Sequence, residues 1–354
     1  MSVSSDWIAF VVALLASFGI TIPVRQLALR TGMVDNPGPR KVHAKPMPLM
    51  GGIAIYAGFV VAVLLALKNI PEQEIIGILC GASVVVFVGL LDDGGFLHHQ
   101  VKLFIGMPLA AVLLLVSGIR ADFFSNFIHG QIGTALDGCF TIVWVVGITA
   151  AFSILDHMDG LCAGIAAVAA GFFTIAASMS GQTMVRTLGA AALGAALGFL
   201  RWNFNPAKIF MGDGGAMLLG FLMATLGLKL RLAAVHFPLT WLAVLLILGV
   251  PVFDTTLIII SRFRRGLLPF TSPGKDHTAH RLSNLGLGHR GAVVVLYGLA
   301  LCSGTLALLL SHIAAAAAYA LAVVLIGCGL VAIMRLEAVP YEHQAKLHKP
   351  SPAP

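Results

Sequence analysis

The sequence predicts an all-α, polytopic membrane protein of about eleven transmembrane helices, with its N-terminus outside and its C-terminus inside. Three observations lead there. Mean hydropathy is +0.96. Hydrophobic residues make up 58% of the 354 positions and charged ones only 10%, where a soluble domain carries roughly 25% charged residues. The apolar residues also collect in runs close to the roughly 20 residues that cross a bilayer. This composition excludes a soluble enzyme and gives no ground for a nucleic-acid partner.

Taken in order, the apolar runs lie at 7–24, 50–67, 74–91, 103–119, 138–155, 161–179, 187–200, 214–230, 237–260, 291–311 and 315–334. Only Asp6 precedes the first run, so a retained helix is expected there rather than a cleaved signal peptide. The short run at 187–200 is rich in Gly and Ala and suits close helix packing. No repeat divides the chain, so 1–354 reads as one integral membrane domain with a cytoplasmic tail at 335–354. The five cysteines are scattered, without metal or disulfide spacing.

Orientation follows from Lys and Arg. With the N-terminus outside, 17 of the 22 basic residues fall on inner segments and 5 on outer ones. The outer five are Lys68, Arg120, Arg186, Lys229 and Arg231. In this topology Asp92, Asp93, Asp156, Asp159 and Asp213 all reach the cytoplasmic side, each at the end of an apolar run.

Asp92 and Asp93 end the third run, where two carboxylates oppose the helix dipole and a cation would offset the cost. Hard oxygen ligands of this kind suit Mg²⁺ shared with substrate phosphates. Lys102 would cap the next span or reach a phosphate. Asp156 and Asp159 are spaced i, i+3, so a helical turn would put both on one face. Asp213 stands in NFNPAKIFMGDGG, at the mouth of the eighth run, where a helix N-cap would stand. Its neighbours Asn205, Lys208 and Phe210 are candidate substrate contacts.

Two basic loops complete the set. Residues 35–52 hold four prolines and three glycines, which rule out a regular helix, together with Arg40, Lys41, His43 and Lys45. Residues 262–290 hold six basic residues and His277, His280 and His289. Histidines can bind a pyrophosphate oxygen, relay a proton or ligate a metal. The His277–His280 pair lacks the cysteines or third histidine of a zinc site, so phosphate contact is favoured over zinc. Lys45, His277, His280 and Arg281 join the substrate-binding candidates. Carboxylates for Mg²⁺, basic loops for phosphates and a membrane setting together fit phosphoryl transfer from a nucleotide-activated donor to a lipid phosphate. A transporter with buried carboxylates is the second class. Acids gathered at one face rather than the midplane weigh against it.

The ordered motifs DNPGPRKVHAKPMPLMGG, GLLDD, AFSILDHMDGL, NFNPAKIFMGDGG, PVFD and DHTAHRL resemble the polyprenyl-phosphate N-acetylhexosamine-1-phosphate transferases. The likeness runs from about residue 30 to 290 and is closer to the undecaprenyl-phosphate N-acetylglucosamine-1-phosphate branch than to the phospho-N-acetylmuramoyl-pentapeptide branch. It implies Mg²⁺ (or Mn²⁺), a UDP-N-acetylhexosamine donor, undecaprenyl phosphate as acceptor and a site on the cytoplasmic face of the plasma membrane. The product would start a cell-envelope polysaccharide, and a homodimer stays open. Under the resemblance Asp213 would ligate the metal and Phe210 would lie against uracil. Asp92 would deprotonate or orient the lipid phosphate, with Asp93 beside it. Asp156 and Asp159 would hold the sugar-nucleotide side, and the histidine loop would contact the diphosphate or the sugar. The chain departs from the family pattern at Ala150 and Ser153, where asparagine is usual, at His157, where glycine is usual, and at Ala279, where a histidine is usual. Those changes fall in the donor pocket and leave a divergent or impaired paralogue open, while the acidic set is intact.

Overall fold

The computed structural model describes residues 5–37, 46–66, 72–97, 99–232, 237–267, 274 and 276–339. Lys45 lies outside the described residues, as do Arg40, Lys41 and His43. The helices are α1 Ser5–Thr31, α2 Gly51–Ala66, α3 Glu72–Asp93, α4 His99–Val101, α5 Met107–Val116, α6 Gln131–Leu155 and α7 Leu161–Met179. They continue with α8 Thr183–Asn203, α9 Gly212–Lys229, α10 Phe237–Ile247, α11 Gly249–Arg264, α12 Thr278–Leu282, α13 Gly288–Leu309 and α14 Ala315–Glu337. Between α4 and α5 the chain makes a π-helical turn, Lys102–Gly106. The only strands among the described residues are β1 (Val34–Asp35) and β2 (Met47–Pro48), paired antiparallel.

The all-helical expectation holds. Every one of the eleven apolar runs falls on helix, but seven helical stretches are long and apolar enough to cross a membrane on their own. The count rises to eight if α10 and α11 form one span. That pair is bent by 78° at Leu248. The expected ninth span is therefore broken rather than continuous. The expected tail at 335–354 begins inside α14, and 340–354 lies outside the described residues.

Polar contacts sort the helix ends into two groups. At one end of the bundle Arg186 pairs with Asp6, Lys229 with Glu74, and Arg231 with Asp122. These join the N-terminal ends of α1, α3 and α8, the C-terminal end of α9 and the 120–130 loop. At the other end Arg25 Nε donates to Lys208 O at 3.1 Å, and Gly51 and Gly52 donate to Phe210 O and Met211 O. The C-terminal ends of α3, α6 and α8 and the N-terminal ends of α2, α7 and α9 meet there.

The most enclosed helix is α9, buried over nearly its whole length from Gly212 to Leu228. Its N-terminal turn is wedged between α2 and α3. A Cβ on Gly52 would fall on the backbone nitrogen of Gly215, and one on Gly89 on that of Gly214. Only glycine allows this approach, which brings the start of α9 against the end of α3. Overpacking of this kind costs about 1–3 kcal/mol. Gly52→Ala is therefore expected to lower the thermal unfolding midpoint of the detergent-solubilised protein. Gly147→Ala, which meets nothing within 4 Å, should leave it unchanged or raise it. The two midpoints measured side by side check the wedge.

Candidate active site

Adjacent acids at the end of α3 are each answered differently. Lys102, at the start of the π-turn, places Nζ 2.8 Å from Asp92 Oδ2 and 2.6 Å from Asp213 Oδ2. One ammonium thus bridges two carboxylates from separate helices. Asp93 turns instead to the first turn of α9, accepting the N–H of Asp213 at 2.9 Å and of Gly214 at 3.3 Å. Those are helix N-terminal donors without intrahelical partners, at the positive end of the dipole.

Asp213 is therefore not the helix cap that its place in the sequence would allow. It sits one residue inside α9, its backbone N–H is taken by Asp93, and its own side chain makes no capping bond. Its carboxylate is free to point outward, where Ser153 Oγ donates to Oδ1 at 2.6 Å. The serine that stands in place of asparagine thus still supplies a polar contact, while Ala150 is buried.

The 156–160 segment is a turn and not helix. α6 ends at Leu155, and Gly160, at φ 77°, precedes α7. The shared face expected for Asp156 and Asp159 does not form. Asp159 Oδ2 accepts from Asn205 Nδ2 and Ala207 N, both at 3.0 Å, and so holds the 204–209 loop. Among the described residues Asp156 has no hydrogen-bond partner. Burial, with the charges of Asp213, Asp93 and Asp159 added, pushes its carboxyl up to about 8.

These groups surround a cavity of about 970 Å³. Asp35, Asp93, Asp156, Asp159 and Asp213 line it together with Asn205, Phe210, His157, His280 and Arg290. Asp92 stands outside the lining, behind Lys102. Of the remaining candidates, Lys208 does not reach the cavity. It is exposed, with Nζ 5.4 Å above the Trp202 ring. Arg281 is fully buried and structural. It donates to Asp276 O, Ser261 Oγ and Leu336 O and pairs with Glu337, which corrects its expected role as a substrate contact. His277 is buried too, with Nδ1 3.0 Å from Asp254 Oδ2 and its ring stacked on His157 at 3.9 Å.

Two residues escaped the sequence reading. Arg290 lines the cavity and reaches Asn205 through Nε at 2.7 Å and NH2 at 2.9 Å. Its place two residues into α13 made it look like a span-end charge. Tyr297 donates its hydroxyl to Gly160 O at 2.5 Å, fixing the turn against α13. A tyrosine inside an apolar run carries no sequence signal for that.

Comparison with known proteins places this geometry. Residues 75–231 match the model of glycosyl transferase family 4. A Bacillus subtilis (strain 168) protein named probable undecaprenyl-phosphate N-acetylglucosaminyl 1-phosphate transferase is 38% identical over 301 residues, covering 82% of this chain and 80% of that one. The chain belongs to glycosyl transferase family 4. A decaprenyl-phosphate N-acetylglucosaminephosphotransferase of Mycobacterium tuberculosis is 33% identical, covering 80% of this chain and 77% of its own. The undecaprenyl-phosphate alpha-N-acetylglucosaminyl 1-phosphate transferase of Escherichia coli (strain K12) is 29% identical, covering 77% and 75%. Four of the aspartates that line the cavity, Asp93, Asp156, Asp159 and Asp213, come from α3, the α6–α7 turn and α9, and the fifth, Asp35, comes from β1.

The histidine segment is held by an ion cluster. Asp276 accepts from Arg262 at 3.0 and 3.1 Å and from Arg265 at 2.5 Å. Burial alone would raise its carboxyl, but those guanidinium hydrogen bonds outweigh it and hold it below the usual carboxylate range. A carboxyl lowered on folding contributes stability above its unfolded value of about 3.9, and that contribution is lost as pH falls below it. Removing one partner of a buried pair costs about 3–5 kcal/mol. Asp276→Asn should thus lower the unfolding midpoint at neutral pH, and its deficit against the unmodified chain should shrink as pH falls below about 4. Thermal melts across a pH series check both the size and the sign.

Proposed function

We propose that this chain transfers N-acetylglucosamine 1-phosphate from UDP-N-acetylglucosamine to undecaprenyl phosphate and releases UMP. The observation that carries the reading is one cavity lined by Asp93, Asp156, Asp159 and Asp213 together with Arg290, His157 and His280. The names of the family relatives support the acceptor and the sugar. In the reaction a phosphate oxygen of the lipid bonds to the β-phosphorus of the donor, and the bond from that phosphorus to UMP breaks.

The acid side fits a divalent cation. Among the described residues Asp156 is a carboxylate without a hydrogen-bond partner, set in the field of three other acids, and the donors are hard oxygens of the kind Mg²⁺ or Mn²⁺ takes. Asp213 and Asp156 would hold the ion, which when bound would neutralise charge on the diphosphate. The chain's own residues do the rest. Lys102 keeps Asp92 and Asp213 together against their repulsion. Asp93 fixes the start of α9, and Asp159 fixes the loop that presents Phe210 to the uracil. Arg290 and His280, which line the same cavity, would meet the phosphates.

Purified protein incubated with undecaprenyl phosphate, Mg²⁺ and a panel of UDP-sugars is expected to release UMP with the N-acetylglucosamine donor and without a membrane gradient. Asp213→Asn should abolish release while the melt stays near normal. A chain that binds donor but never turns over, across the full panel, would be a non-catalytic paralogue. No release coupled with gradient-driven uptake would make it a transporter.

The site would face the cytoplasm, with N-out and C-in and eleven crossings of the plasma membrane. Lys102 and Asp213 lie at the site end of the bundle, whereas Val116 and Lys229 reach the opposite end through Gln73 and Glu74. The short 102–116 segment and α9 thus run from one end to the other, which supports counting them as crossings. A reporter fused after Pro354 should be active only in its cytoplasmic form. Activity of an exported reporter there would reverse the orientation.

A further inference from the structure

Beside the carboxylates lies a second cluster, which shares His157 with the cavity lining and has no assigned part in the transfer. His157, His277 and Asp254 each offer one ligand atom, and the three atoms lie within 4.8 Å of one another. They come from three separate places in the chain: the α6–α7 turn, the start of α12 and the middle of α11. The sequence shows a histidine pair with no third nitrogen nearby. The fold instead pairs His277 with Asp254 and with a histidine 120 positions away.

We propose that His157, His277 and Asp254 form a binding site for one divalent transition-metal ion of the zinc class. The geometry comes first. His277 Nδ1 and Asp254 Oδ2 are 3.0 Å apart, close to the roughly 3.3–3.5 Å between ligands of a tetrahedral zinc ion with bonds of about 2.0–2.2 Å. An ion there would replace the proton now between them, with the imidazole proton carried on Nε2. The His157 ring must move inward and turn out of its stack on His277, because a shared ion has to lie in the plane of both rings. The donor chemistry comes second. His157 Nε2 is out of reach of solvent and has no hydrogen-bond partner among the described residues. Its Nδ1 lies 3.2 Å from Ile154 O, which fixes the proton on Nδ1 and leaves a lone pair on Nε2. A ring nitrogen held by a backbone carbonyl, with the other bare, is the usual preparation of a metal-ligating histidine. A buried bare nitrogen otherwise forgoes a hydrogen bond. The orientation of the carboxylate comes third. Asp254 Oδ1 accepts from Thr278 N at 2.7 Å, which leaves Oδ2 for the ion.

Two imidazoles and one carboxylate select zinc, cobalt or nickel over Mg²⁺, which takes oxygen ligands. Three protein ligands leave a fourth position for water or a ligand atom. An ion here would pin the α6–α7 turn, which carries Asp156 and Asp159, to the segment that carries His280. It would be separate from the carboxylate site, and the inference does not depend on the transfer reaction.

The test uses the full chain in detergent, with any polyhistidine tag removed. The protein is stripped with chelator, equilibrated with Zn²⁺ in excess Mg²⁺, desalted and assayed for bound zinc. Co²⁺ loading gives a second readout in the visible spectrum. One zinc per chain is expected. His157→Phe keeps the ring stack and removes the nitrogen, and should weaken retention at least about tenfold. His157→Gln repeats the loss should the phenylalanine variant melt early. Asp254→Asn should also weaken it, and Asp213→Asn should retain the ion. No zinc in the unmodified chain would overturn the proposal, as would equal retention in both His157 variants. So would loss in Asp213→Asn alone, which would put the ion among the carboxylates.

Discussion

Two carboxylates from different helices share one ammonium, and the rest of the site depends on that arrangement. Asp92 at the end of α3 and Asp213 at the start of α9 would repel each other across a gap that Lys102 spans. At 2.6 and 2.8 Å the contacts are charge-assisted hydrogen bonds. Their partners are partly screened from water, so neither helix end could approach the other without the lysine. The approach also needs an absence of side chains. Gly52 and Gly89 let α9 slide its first turn between α2 and α3, close enough for Asp93 to receive two of its N–H groups. Packing and electrostatics are thus not separate here. The glycines set the distance at which the charges must be balanced.

The five acids then divide their work. Asp93 and Asp159 are committed to backbone donors, one holding a helix start and one holding a loop. Asp92 acts through Lys102 and does not touch the cavity. That leaves Asp213, which lines the cavity with Oδ1 held by Ser153 and Oδ2 by Lys102, and Asp156, which lines it without a hydrogen-bond partner among the described residues. Asp156 is the less settled of the two, because its neighbours are other acids and not donors. A group left in that condition is stable only when neutral or when a cation stands beside it. The arrangement therefore prepares a place for positive charge without supplying it.

Much of this was legible in the sequence. Apolar runs located the helices, because crossing a bilayer needs length and hydropathy that few other structures need. Acids at the ends of those runs located the site, because charges are costly anywhere else in such a chain. What could not be read were the relations between ends. Nothing local says that Asp93 serves α9 or that Asp159 serves Asn205. Both partners lie on segments more than 40 residues away. Asp213 has the sequence context of a cap, and loses that role because another carboxylate arrives first. Arg281 reads like its basic neighbours, yet it is fully buried against α14. The break at Leu248 falls inside an uninterrupted apolar run, where hydropathy carries no signal for a bend.

The division of charge along the chain has a consequence for how the cavity is assembled. The segment that matches the family model, 75–231, supplies Asp93, Asp156, Asp159 and Asp213. His280 and Arg290 come from beyond it, on a segment tied down by Asp276 and by the Arg281–Glu337 pair on α14. The first group is thus held by helix packing within the bundle, and the second by an ion cluster around a bent helix and a short one. The two are also tied to each other, because Arg290 reaches Asn205 and Tyr297 reaches Gly160. The carboxylates are wedged by glycines, while the basic groups are anchored through side chains. The first must hold like charges at fixed distances, and the second need only present donors.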